Sequence, residues 1–155
     1  MSINRHLSRT VAMQTLYEWD FRSNQSLQDI VRRNINVYKE DVDSNYVIHI
    51  VEGVISKIKE IDEQIIKVAP EFPIDQIASI DKAIIRLAIY EILYDNDVPA
   101  KVAINEAVEL GKNFGNDNSY KFINGVLGTI YRTSSKYDPD SDNNPHQDNI
   151  KEKNV

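Results

Sequence analysis

Apolar residues recur three and four positions apart through almost the whole chain, and one stretch, VAPEFPID (68–75), interrupts them. A period near 3.6 is what a helix with one buried stripe requires. No segment keeps the period of two that a half-buried strand needs. Pro70 and Pro73 cannot lie inside a helix, because each lacks an amide hydrogen and clashes with the preceding turn. The pattern therefore predicts an all-α chain of about six to seven helices, in two packed helical subdomains at about 1–69 and 74–133.

In the first subdomain the spacing predicts a helix from about Ser8 to Arg22, with Ala12, Leu16 and Trp19 on one stripe. Ser26, followed three residues later by Asp29, reads as the N-cap of a short second helix. A long third helix is expected from about Ser44, carrying Val47, Ile50, Val51, Val54, Ile55, Ile58, Ile61 and Ile65 in register. Beyond the prolines, Asp75 or Ser79 is expected to cap a helix through AIIRLAIYEILY (83–94), whose apolar density predicts the central position. Pro99 suits the start of the next helix, with Val102, Ala103, Ala107, Leu110 and Phe114 inward and Gly115 closing it. Ser119 opens a last helix to about Arg132. From 134 to 155 apolar surface is too sparse to offset the entropy of ordering, which predicts a disordered acidic tail.

A chain of 155 residues suits one domain able to bury roughly two-thirds of its unfolded surface. The absence of cysteine removes disulfides, thiolate metal sites and cysteine nucleophiles together. MSINRHLSRT lacks the apolar core of a signal peptide, and Arg86 and Glu91 interrupt the densest apolar run. A cytoplasmic protein with no membrane partner is expected. Net charge is −6, which by itself argues against nucleic acid, but the distribution is polarised. Arg5, His6 and Arg9 stand in an acid-free start, while five acids face two lysines after residue 137.

Glu106 and Glu109 share a helix face in INEAVELGKNF, and the pair raises the question of acid/base or metal chemistry. A carboxylate-bridged metal centre needs further glutamates and a Glu-x-x-His element. His6, His49 and His146 supply none at that spacing. No nucleophile elbow and no phosphate-cradling glycine loop occurs. The expectation is therefore no enzyme, no metal, no cofactor and no small-molecule substrate. Two other features point to an anionic partner. Arg5 and Arg9, four apart in a first turn, oppose the helix macrodipole. Phe122 lies at the rim of the last helix's apolar arc (Ile123, Val126, Leu127, Ile130), beside Lys121, which suits stacking on unpaired bases. From spacing alone, solvated arginines and a Phe122 packed under a neighbouring helix are the commoner outcomes.

Four segments then fall into one pattern: AMQTLYEWD (12–20), DKAIIRLAIYEIL (81–93), VPAKVAINEAVELGKNF (98–114) and KFINGVLGTI (121–130). In this order, over about Arg5 to Arg132, they resemble the NusB family of bacterial transcription antitermination factors. The resemblance implies the NusB-like fold of two packed helical subdomains, with no catalysis. It implies pairing with NusE, a small-subunit ribosomal protein, and binding of the heterodimer to single-stranded boxA RNA. The setting it implies is the RNA polymerase antitermination complex reading through ribosomal RNA operons. By position, Arg5, His6 and Arg9 are expected to hold phosphates. Arg86, Asn118, Lys121 and Phe122 are expected at or near the RNA, and Tyr17 and Asp81 against NusE. The arm carries fewer arginines than in many relatives, which bears on RNA affinity without NusE. Two rival implications are an adaptor without RNA binding and a detached NusB-like domain of a ribosomal RNA cytosine methyltransferase. The second needs a downstream methyl-donor domain, where this chain has a polar tail.

Overall fold

The computed structural model describes residues 4–22 and 24–142, so His146 and the end of the expected tail lie outside the described residues. The helices are α1 (Arg5–Phe21), α2 (Leu27–Tyr38), α3 (Ser44–Ser56), α4 (Ile58–Val68), α5 (Ser79–Tyr94), α6 (Ala100–Phe114), α7 (Ser119–Arg132) and a single turn, α8 (Pro139–Asp142). Short 3-10 turns stand at Lys39–Asp41 and Ile74–Gln76, and the described residues contain no strand. The all-α class expected from the periodicity is the observed one.

Side-chain caps set several starts. Asn4 accepts from the Leu7 amide at 3.0 Å, which opens α1 three residues before Ser8. Ser26 accepts from Asp29 at 3.1 Å, as its spacing implies, and Asp43 accepts from Tyr46 at 3.1 Å. Neither Asp75 nor Ser79 caps α5. Ala78 holds the cap position without a side-chain acceptor, and Asp81 supplies the negative charge of the first turn. Gly115 closes α6 in extended rather than left-handed backbone. Its glycine is required by space, since a Cβ would fall 2.3 Å from Ser119 Oγ and 2.8 Å from the Gly111 carbonyl oxygen.

The single long helix expected after Ser44 is two helices, broken at Lys57. Ser56 Oγ donates to the Gly53 carbonyl at 2.8 Å, and the Lys57 amide reaches the same oxygen at 3.1 Å. A serine bonding back to its own turn bends a helix, and here it redirects the chain while the apolar stripe continues through Ile61 and Ile65.

The core is organised around α5, which packs against α1, α3, α4, α6 and α7. Every residue from Ala83 to Ile92 is buried. Ile84, Ile85, Ile89 and Ile92 are fully enclosed, and each such side chain contributes about 1.5–3 kcal/mol of burial. α3 crosses α5 with no spare room: a Cβ on Gly53 would lie 2.3 Å from Tyr90 Cζ.

The chain does not loosen at residue 134. Lys136 Nζ donates to the carbonyls of Glu91 (3.0 Å), Asp95 (2.5 Å) and Val98 (2.8 Å). Tyr137 meets the Tyr131 ring edge-on at 5.4 Å, and the Asp138 amide donates to the Tyr131 hydroxyl. A docked segment thus stands where composition alone predicts the beginning of a tail. One lysine at the free end of α5 outweighs sparse apolar surface.

Candidate nucleic-acid interface

The first turns of α1 carry the basic arm, and its three members meet different fates. Arg5 is half-exposed, with its guanidinium 3.9 Å above the Tyr46 ring and 3.3 Å from Asp43. His6 Nδ1 lies 2.9 Å from Glu106 Oε2, which joins α1 to α6. Arg9 is buried. Its Nε and Nη2 donate to the two oxygens of Glu91, both at 3.0 Å, and Nη1 lies 3.9 Å from Glu106. Burial alone would lower the Arg9 pKa, but the Glu91 carboxylate more than reverses this and raises it. Burial, then the Glu91 charge, push the Tyr46 phenol well above its ordinary value. Its hydroxyl is enclosed with no partner among the described residues. An open cavity of about 420 Å³ lies against this cluster, lined by Arg5, Tyr46, His49, Asp95, Asp97 and Val102.

Of the two carboxylates, Glu106 is engaged with the arm: its Oε2 lies 2.9 Å from His6 Nδ1 and 3.9 Å from Arg9 Nη1.

A second, partly buried network sits at the other end of α1. Arg86 on α5 donates to Asp62 on α4 (3.0 and 2.9 Å) and to Asp20 on α1 (3.2 Å), and Lys82 lies 2.7 Å from Asp20. Burial alone would raise the Asp20 pKa, but hydrogen bonds from Lys82 and Arg86 hold it below the usual carboxylate range. Arg86, expected near RNA, is 6% exposed and engaged on both carboxylates.

Near this end lies an open groove of about 240 Å³, with Tyr17 and Phe21 of α1, Asp81 of α5, Phe114 of α6 and Ser119 of α7 in its walls. Tyr17 and Asp81, which the family resemblance assigns to the NusE contact, both line this groove. The Tyr17 and Phe21 rings meet edge-on at 4.9 Å, while Phe21 and Phe114 remain 60% and 42% exposed. Asp81 is buried, and its Oδ1 has no hydrogen-bond partner. Phe114 and Val102, both expected inward, instead border the two openings, because the α6 stripe outruns the helices that cover it.

α7 begins beside this groove. Asn118 is exposed, with its amide turned onto Asn116 Oδ1 at 2.9 Å, and Lys121 is exposed. Phe122 is half-buried against the core and meets Phe72, from the proline loop, at 5.1 Å. Among the described residues no hydrogen bond, ion pair or ring contact joins Arg5 or His6 to Asn118, Lys121 or Phe122. Tyr17 lies twelve residues along α1 from Arg5, roughly 18 Å at helical rise. Sequence reasoning missed Glu91, Tyr46, Asp62 and Phe21. For Glu91 a signal existed, since a carboxylate inside the most apolar helix needs a buried cation.

Comparison with known proteins agrees with this architecture. The NusB family model matches residues 6–132. A transcription antitermination protein NusB of Dehalococcoides mccartyi is 37% identical over 131 residues, covering 84% of this chain and 91% of the relative. The solved structure of T. maritima NusB aligns with a TM-score of 0.80 at 28% identity, over 87% of this chain and 95% of that one. A crystal structure of antitermination factors NusB and NusE in complex with dsRNA shares the fold, with a TM-score of 0.74 at 24% identity, over 82% and 95%.

Proposed function

The chain belongs to the NusB family, and on that premise we propose that it pairs with NusE and, so paired, binds boxA RNA to promote read-through of ribosomal RNA operons. Relatives are named transcription antitermination proteins, so the work of the family is binding and not turnover. The setting is the RNA polymerase antitermination complex in the cytoplasm. Among the described residues no helix is long and apolar enough to cross a membrane.

The observation that carries the reading is the α1–α5–α6 groove. A buried acceptor without a donor costs about 1–3 kcal/mol, and Asp81 Oδ1 is such an acceptor on the wall of an open groove. A donor from NusE would remove that cost, while Phe21 and Phe114 supply the aromatic anchors that interfaces favour. RNA is met by the side chains that remain within reach: Arg5 and His6 at one end, and Asn118 and Lys121 at the other, beside a Phe122 that is half-buried against the core. Arg9 and Arg86 serve the same surface from inside, by fixing α1 on α5. The deciding experiment measures boxA RNA binding with and without NusE, together with NusE pairing of Asp81→Ala. NusE should tighten RNA binding, and Asp81→Ala should weaken pairing at least about tenfold, about 1.4 kcal/mol. No NusE complex, or RNA binding indifferent to NusE, would refute the proposal.

A further inference from the structure

The aromatic at the start of α7 that stands free of the core is Tyr120, not Phe122. Phe122 is packed against the core and further covered by Phe72. Tyr120 is half-buried, is absent from the core cluster, and has two lysines about its ring. Lys112 Nζ, from the last turn of α6, lies 5.6 Å from the ring centroid, and Lys121 Nζ lies 5.8 Å from it. Neither ammonium has a carboxylate partner among the described residues. Gly111 lets α7 sit close on α6: a Cβ there would lie 2.7 Å from Ile123 Cδ1, and the backbone of Tyr120 stands against the same turn. Lys121 also sits in a first turn, where a cation is disfavoured by the helix macrodipole. Two unpaired cations about one peripheral ring supply both parts of a single-strand nucleic-acid contact, a charge for the backbone and a π-face for a base.

We propose that Tyr120 is a stacking platform for one unpaired base of the bound RNA, with Lys112 and Lys121 holding the phosphates on either side of it. The inference rests on the RNA reading above and adds Tyr120 and Lys112 to it. Asp117, exposed in the preceding loop, is the acid nearest Tyr120 in sequence and limits the charge advantage.

The test uses the full chain with NusE and a fluorescent single-stranded boxA RNA, read by anisotropy over a salt series. Tyr120→Ala should weaken binding by roughly 5- to 150-fold, the equivalent of losing one aromatic–base stack, without changing the log–log salt slope. Tyr120→Phe, which keeps the ring, should restore affinity. Lys112→Gln/Lys121→Gln should lower the slope by about 1.4, two single-strand phosphate contacts. A set of RNAs, each with one abasic nucleotide, supplies the readout that a merely structural role would not move. At one position the abasic RNA should bind wild type and Tyr120→Ala alike. If Tyr120→Ala binds as wild type, or loses equally on every abasic RNA while melting at a lower temperature, the platform is refuted and RNA binding elsewhere survives. If wild type binds no RNA, the RNA reading fails and this inference with it.

Discussion

Replacing Arg9 by methionine isolates what the basic arm does. Arg9 is 5% exposed and its bidentate partner Glu91 is 0% exposed, so neither charge is screened by solvent. Removing one member of such a pair leaves the other buried and uncompensated, at a cost of about 3–5 kcal/mol. For a chain of this length each kcal/mol moves the melting temperature by about 2–4 °C, so Arg9→Met should melt roughly 6–20 °C below wild type. Replacing both partners, Arg9→Met/Glu91→Leu, removes the stranded charge and should recover most of the loss. That double variant then answers the functional question, because it is folded and lacks the guanidinium. Calorimetry gives the stability, and boxA affinity against salt gives the charge count. In the double variant the slope should match wild type, whereas Arg5→Ala should lower it by about 0.7. An Arg9→Met protein that melts as wild type yet loses about 0.7 of slope would refute the reasoning, and would show that Arg9 leaves Glu91 to hold a phosphate.

Two further predictions concern stability. Lys136→Met removes three charged hydrogen bonds at the end of α5 and should cost roughly 1.5–3 kcal/mol in urea unfolding, and a chain ended after Ser134 should lose at least as much. A truncated chain with an unchanged midpoint would mean that the clasp contributes nothing. Asp20 titrates below the ordinary aspartate value of about 3.9 when folded, so its contribution is full above that value and is lost as pH falls through it and below. Asp20→Asn should therefore be less stable at pH 7 but flatter between about pH 5 and 3, and an acid limb identical to wild type would count against the ion-pair account.

The helices that pack tightly were legible because their periodicity and their burial have the same cause. α5 is the clearest instance, its apolar density reading directly as a central position. The break at Lys57 was not legible. No proline marks it, the apolar stripe runs on past Gly53, and a serine hydroxyl competing for that glycine's carbonyl decides it. At the candidate site the sequence yielded the arm but not its division of labour. Arg5 and Arg9 are spaced alike, yet only Arg9 faces inward, because only Arg9 meets a carboxylate 82 positions away. The unpartnered oxygen of Asp81 depends on three other helices converging, which no local pattern records. Charges standing inside an apolar run, Glu91 and Arg86, were the readable sign of both networks.

The distance between Arg9 and Glu91 along the chain also sets a schedule. During synthesis α1 emerges before α5, and at about 5–20 residues per second the residue that neutralises Arg9 follows roughly 4–16 s later. Asp20 waits similarly for Arg86, 66 positions on. Through that interval the face of α1 that α5 will cover carries Arg9 without its acid. Until α5 is made, α1 can pack only on α2 and α3, and translation that stalls before residue 91 leaves Arg9 without the carboxylate that neutralises it.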